Sequence, residues 1–260
     1  MPVARANGID IHYLLEGSGP VVTLSHSLTC HLAMWRDLAA TLSGSYTVLR
    51  YDTRGHGESS APAGNYGFDD LVADVLGLLD ALDIDRTHWV GVSMGGMIGQ
   101  HLALAAPERL QRLVIANSTS RIPAEAGPLW DERIRLARAG GCAALVDATL
   151  ARWFTEPFRT ARPDVMSRVG AQIAATPVAG FTGCAAAIRG LDITGRLPAV
   201  RARTRVIAGG DDPGTPPAMS EAIAAAIPGA EFHVIPGASH LACLEQPEAF
   251  HALVAGFLAD

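Results

Sequence analysis

Ser93 stands in Gly91-Val92-Ser93-Met94-Gly95, a G-x-S-x-G pattern with a further glycine at Gly96. A serine so placed can attack a carbonyl carbon if a nearby base takes its proton, because the free hydroxyl is inert at neutral pH. The pattern alone is common, but its setting is specific. An apolar run, His88 to Val92, leads into it and a helix-forming run leaves it. That is the strand–turn–helix arrangement that holds a nucleophile on a strained turn, where small flanking residues avoid a clash.

His240 is the candidate base, in Pro236-Gly237-Ala238-Ser239-His240-Leu241, just after the last strand-like run. Behind it an acid must fix the imidazole tautomer and stabilise the imidazolium. With the serine on an elbow, that acid precedes the histidine in the chain. Gly209-Gly210-Asp211-Asp212-Pro213 offers two aspartates eligible by position, and Asp212 is preferred for its spacing from Gly209 and Pro216. The oxyanion formed on attack needs two backbone N–H donors. Met94, following the nucleophile, supplies one, and Leu28 in His26-Ser27-Leu28 supplies the other. His26 reads first as a residue that holds this loop by hydrogen bonds, and stays a candidate for substrate contact.

These residues need a scaffold that gathers strand ends. Val3 to Ala6 and Ile9 to Leu15 flank Asn7-Gly8, a two-residue hairpin turn. Strand-like runs follow at Val21 to Ser25, Tyr46 to Tyr51, Thr87 to Val92, Arg112 to Asn117, Thr204 to Ala208 and Glu231 to Ile235. Helical runs alternate with them at Ala33 to Leu42, Phe68 to Leu82, Met94 to Ala105, Ser220 to Ile227 and Pro247 to Leu258. This rhythm predicts an α/β core with a mostly parallel sheet and helices on both faces. It breaks once, over 121–192, where the chain is rich in Ala, Arg and Trp and carries no convincing strand. The expected organisation is a core of residues 1–120 and 193–260 with a helical cap, or lid, at 121–192. The insertion falls where loops gather at the carboxyl ends of parallel strands, the edge at which ligands bind. Within it Trp130, Trp153, Phe154, Phe158 and Phe181 form the lid's own core, Trp130 and Trp153 being candidates to line the pocket. Arg133 and Arg135 are candidates to pair with an anionic substrate group.

Composition excludes several chemistries. All 20 basic residues are arginine, so there is no lysine for a Schiff base, for anchored pyridoxal phosphate or for a P-loop. A net charge of −6 without basic runs is a poor match for nucleic acid. The four cysteines are far apart, which gives neither a zinc ribbon nor a disulfide frame. His26, Cys30 and His31 lack further ligands at metal-binding spacing, so no metal and no cofactor are expected. Arg50 to Ser59 is a polar, glycine-bearing loop that lacks the P-loop lysine and reads as locking the sheet edge. With no secretory signal at the N-terminus and no membrane-length apolar stretch, a soluble cytoplasmic protein acting on a small molecule is expected, with no membrane partner.

Several segments resemble one named group. Arg50 to Ser59, Gly91 to Met97 and Trp130-Asp131-Glu132-Arg133-Ile134 are similar to those of 3-oxoadipate enol-lactone hydrolases, within the α/β-hydrolase superfamily. So are Arg152-Trp153-Phe154-Thr155, Gly209 to Pro213 and Glu245-Gln246-Pro247-Glu248. The Ser93 and Asp212 segments are common to the superfamily, whereas those around Trp130 and Trp153 favour the lactonase branch. The resemblance implies the α/β-hydrolase fold and opening of an enol-lactone through an acyl-enzyme on Ser93. Two segments depart from it. His26-Ser27-Leu28-Thr29-Cys30 stands where the lactonases carry Asn-Ser-Leu-Gly-Thr, and Leu241-Ala242-Cys243-Leu244 where they carry Leu-Ser-Asn-Val. The nearest alternative is a carboxylesterase of another small-ester specificity. Further off are a C–C hydrolase, a perhydrolase and a ligand-binding protein without turnover.

Overall fold

The computed structural model describes residues 2–260. Eight strands form one sheet: β1 Val3–Ala6, β2 Ile9–Gly17, β3 Val21–Ser25, β4 Thr47–Tyr51, β5 Thr87–Val92, β6 Leu110–Ala116, β7 Arg203–Gly209 and β8 Glu231–Ile235. Their order is β1-β2-β4-β3-β5-β6-β7-β8, with β1–β2 and β2–β4 antiparallel and every other pairing parallel. All six residues of β5 are buried, as expected for a central strand covered on both faces. The core helices are α1 Arg36–Leu42, α2 Phe68–Ala81, α3 Met94–Ala105, α9 Pro217–Ala226, α10 Ala242–Glu245 and α11 Pro247–Ala259. α1 packs on α11 and α2 on α3.

Strand order reverses direction at β3, which lies between β4 and β5. Such a switch point opens a crevice at the carboxyl ends of the strands, because the two flanking connections leave on opposite sides. The oxyanion loop leaves β3 there and Ser93 follows β5.

Between β6 and β7 the chain leaves the sheet and forms α4 Gly127–Gly140, α5 Val146–Trp153, α6 Glu156–Ala161, α7 Pro163–Ala175 and α8 Val178–Arg189. Its two ends are stitched together by an antiparallel bridge between Arg121 and Asp192. The Ile122 N–H to Leu191 O and Ile193 N–H to Ser120 O bonds, both 2.9 Å, complete the neck. α8 seats the insertion on the core, since Phe181, Cys184 and Ala185 are fully buried. All four cysteines are buried and free. Among the described residues no single helix is long and apolar enough to cross a membrane.

Candidate active site

Ser93 sits between β5 and α3 at φ 56°, ψ −115°. A non-glycine residue at positive φ is strained unless its surroundings force it, and here they do. The Ser93 N–H donates to Ala116 O (2.8 Å), while its carbonyl accepts from the Ser118 hydroxyl (2.8 Å) and the Met97 N–H (3.0 Å). The flanking glycines answer to close approach. A Cβ at Gly91 would lie 2.2 Å from Gly95 O, and one at Gly95 would lie 2.1 Å from Ser25 O.

The end of β7 and the loop after β8 bring Asp212 and His240 together, with His240 Nδ1 2.7 Å from Asp212 Oδ2. Asp212 is buried and Asp211 exposed, which separates two residues the sequence left equally eligible by position. Oδ2 also accepts from the Thr215 hydroxyl (2.6 Å) and Asn117 Nδ2 (3.1 Å), and Oδ1 from the Gly214 (2.8 Å) and Thr215 (3.0 Å) N–H groups. Burial pushes the Asp212 pKa up, but His240 and the Thr215 bonds outweigh it and hold the carboxyl at about 2. An anionic Asp212 keeps the imidazole proton on Nδ1, which leaves Nε2 as the basic nitrogen. Asn117 and Thr215 were not singled out in the sequence. Asn117 ends the β6 run and carries a positive φ of 45°, and it also bonds Ser239 O (3.2 Å), the residue before His240.

In the loop after β3 the Leu28 N–H, and at the start of α3 the Met94 N–H, have no partner among the described residues. His26 lies below the loop, fully buried and away from the cavity. Its Nδ1 donates to Ser27 O (2.8 Å), and its Nε2 accepts from the Thr53 N–H (2.9 Å). Burial lowers its pKa to about 4 despite Asp52. Both ring nitrogens are therefore used in fastening the loop, and His26 does not line the cavity. Thr29, at φ 63°, donates its hydroxyl to Leu28 O (2.6 Å).

Ser93 and His240 open into a cavity of about 180 Å³, also lined by Leu28, Trp130, Arg133, Arg152, Trp153, Pro213 and Met219. The Trp153 ring stacks on the His240 imidazole, centroids 6.0 Å apart at 24°. Arg133 packs over Trp130 (4.4 Å) and Phe181 (5.6 Å). Burial, then repulsion by Arg152, lowers the Arg133 pKa to about 9, which leaves it cationic at neutral pH. Arg152, which in the sequence reading belongs only to a family-like segment and not to the site candidates, also has its pKa lowered by burial, against the opposing pull of Asp212. Neither guanidinium has a carboxylate partner among the described residues. Arg135 instead faces solvent, paired with Glu132 at 2.7 Å, and does not reach the cavity. A larger cavity of about 620 Å³ behind the oxyanion loop holds none of the candidate site residues.

Residues 20–247 match the family model for the α/β-hydrolase fold. The chain is 35% identical over 252 residues to 3-oxoadipate enol-lactonase 2 of Acinetobacter baylyi, covering 96% of this chain and 93% of that one. The crystal structure of the enol-lactonase from Burkholderia xenovorans superposes with a TM-score of 0.96 at 37% identity, covering all of both chains. A thermophilic esterase from Thermogutta terrifontis, solved with malate bound, gives 0.92 at 28% identity, covering 96% of this chain and 93% of that one.

Proposed function

The chain belongs to the α/β-hydrolase family as a lactone or ester hydrolase, and from that premise we propose that it opens a carboxylate-bearing enol-lactone by way of Ser93. The observation that carries the substrate class is the pair Arg133 and Arg152, two guanidinium groups without carboxylate partners in the cavity that holds Ser93 and His240. Asp212 partly offsets Arg152, yet with no carboxylate at ion-pair distance two neighbouring cations in an apolar cleft are costly unless a further anion joins them. The lactone of the enol-lactonase relatives supplies one, a carboxylate beside the ring.

In this reading the helices of 121–192 cap a core of 1–120 and 193–260. Ser93 Oγ attacks the lactone carbonyl as His240 Nε2 takes its proton, and the Leu28 and Met94 N–H groups receive the oxyanion. Collapse breaks the ring C–O bond, and the imidazolium protonates the departing enolate oxygen. Water, deprotonated by His240, then attacks the ester on Ser93 and releases the enol acid with the serine restored, and the enol tautomerises to the keto acid by moving its hydroxyl proton to carbon. Asp212 holds Nδ1–H throughout. Trp130 and Trp153 supply apolar walls, and Trp153 also fixes the imidazole plane. The likeness to an esterase supports a second reading, a small-ester hydrolase of the same mechanism.

The test compares 3-oxoadipate enol-lactone with p-nitrophenyl acetate, using Ser93→Ala as the blank. The expected result is a much higher kcat/KM for the lactone and loss of both activities in the blank. Arg133→Ala should raise KM for the lactone about 10- to 100-fold, the worth of one charge-assisted hydrogen bond, and leave the neutral ester unchanged. Cleavage of the neutral ester alone would favour the esterase reading.

A further inference from the structure

A buried carboxylate that the triad does not use ties the insertion to the catalytic histidine. Glu245, the last residue of α10, is 6% exposed and faces no Arg or His at ion-pair distance among the described residues. Its Oε2 accepts the Ser239 N–H at 2.7 Å. Its Oε1 accepts both the N–H (2.9 Å) and the hydroxyl (2.5 Å) of Thr155. Ser239 immediately precedes His240, and Thr155 follows the Trp153 whose ring stacks on the imidazole. Two more bonds run alongside, from the Ser239 hydroxyl to Arg152 O (3.1 Å) and from the Leu241 N–H to Trp153 O (3.2 Å).

We propose that Glu245 is a positioning residue that sets the His240 imidazole by joining its loop to Arg152–Thr155 of the cap. The residues on both sides of His240 are held by that segment, Leu241 through its N–H to Trp153 O and Ser239 through its hydroxyl to Arg152 O and, by way of Glu245, through its N–H to Thr155. A buried carboxylate without a cation beside it is tolerated only when donors converge on it. Two of the three donors here belong to the cap. Lifting 152–155 would leave the charge undersatisfied, so this segment stays docked while His240 works. A glutamine cannot replace the carboxylate: its oxygen can serve Thr155 or Ser239, and its NH₂ then meets a donor on the other side.

The inference rests on the reading of His240 as the base acting on Ser93. Glu245→Gln, Thr155→Val and Thr155→Ser are compared with the parent enzyme on the lactone and on p-nitrophenyl acetate, with competent sites counted by fluorophosphonate labelling. Glu245→Gln should lower kcat per competent site about ten- to a hundredfold, as expected for a misplaced catalytic group. KM should move less than about threefold, and both substrates should be affected alike, because both need His240. Thr155→Val, on the half-buried side of the tie, should lower kcat in the same sense and keep the inference testable if Glu245→Gln does not fold. Thr155→Ser, which keeps the hydroxyl, should restore it. A fall in thermal stability with unchanged kcat per site would overturn the proposal, as would a KM rise confined to the lactone. Full activity in Ser93→Ala would instead remove the triad reading itself, whatever the Glu245 variants do.

Discussion

The backbone of Ser93 holds the proposed nucleophile at positive φ, and the fold sustains that strain through three hydrogen bonds and two neighbouring glycines. Strain of this kind is worth about 1–3 kcal/mol, partly offset in a Ser93→Gly variant by the greater chain freedom of glycine. Ser93→Gly should therefore abolish hydrolysis yet melt about 2–4 °C above Ser93→Ala, which keeps the strain. Equal melting temperatures would mean that the elbow stores no strain. The residues proposed to carry the chemistry were legible from type and local setting: Ser93 by its elbow, His240 by its loop, Asp212 by spacing. Their supports were not. Asn117, Thr215 and Arg152 are ordinary polar residues in sequence, and only the convergence of β6, β7 and α5 on one edge gives them a task. His26 shows the converse, a histidine beside the reacting centre whose two nitrogens are both spent on backbone.

At the scale of elements, sequence pattern located every strand and the larger core helices to within a few residues: burial on both faces writes continuous apolar runs in central strands such as β3, β4 and β5, and the Asn7-Gly8 turn marks the hairpin of β1 and β2. Within 121–192 the helical character was legible but the five helices were not resolved from one another. Their own markers were present: Pro157, Pro163 and Pro177 stand at or just before the first turns of α6, α7 and α8. How the insertion docks was hidden, since it depends on two glycines far apart in the chain. A Cβ at Gly180 of α8 would lie 1.9 Å from Gly55 O in the loop after β4, an approach that only glycine allows. Gly180→Ala should destabilise the protein by about 1–3 kcal/mol, the usual cost of overpacking. Gly256→Ala in α11, where an added Cβ meets nothing within 4 Å, should stabilise it by about 0.5–1 kcal/mol through helix propensity. Urea unfolding of both variants checks the pair. No loss at Gly180 would mean that the α8 contact yields without cost.

Across the whole molecule, buried histidines set how stability depends on pH. Burial lowers the pKa of His26 from 6.5 to about 4, of His56 to about 3, and of His88 to about 4, the last helped by Arg112 and Arg86. In the unfolded chain each returns to about 6.5. Below that value the unfolded state binds protons that the folded state refuses, so acid favours unfolding. The stabilisation from these neutral imidazoles is complete above pH 6.5 and is lost progressively as pH falls toward their folded values. Asp212, held at about 2, works in the same direction but lower down: its contribution is present above the ordinary carboxylate range and fades only as pH falls from about 4 to 2. Between pH 7.5 and 5.5 carboxylates stay largely ionised in both states, so the histidine effect stands alone there. Each fully titrating group adds a slope of about 1.4 kcal/mol per pH unit. Urea midpoints should therefore be flat above pH 7 and fall steadily from pH 6.5 to 5.5, with the slope reduced in a His88→Gln variant. A midpoint independent of pH over that interval would mean that these rings take up protons in the folded protein. The His26 ring could then no longer accept the Thr53 N–H, and the oxyanion loop would need another fastening.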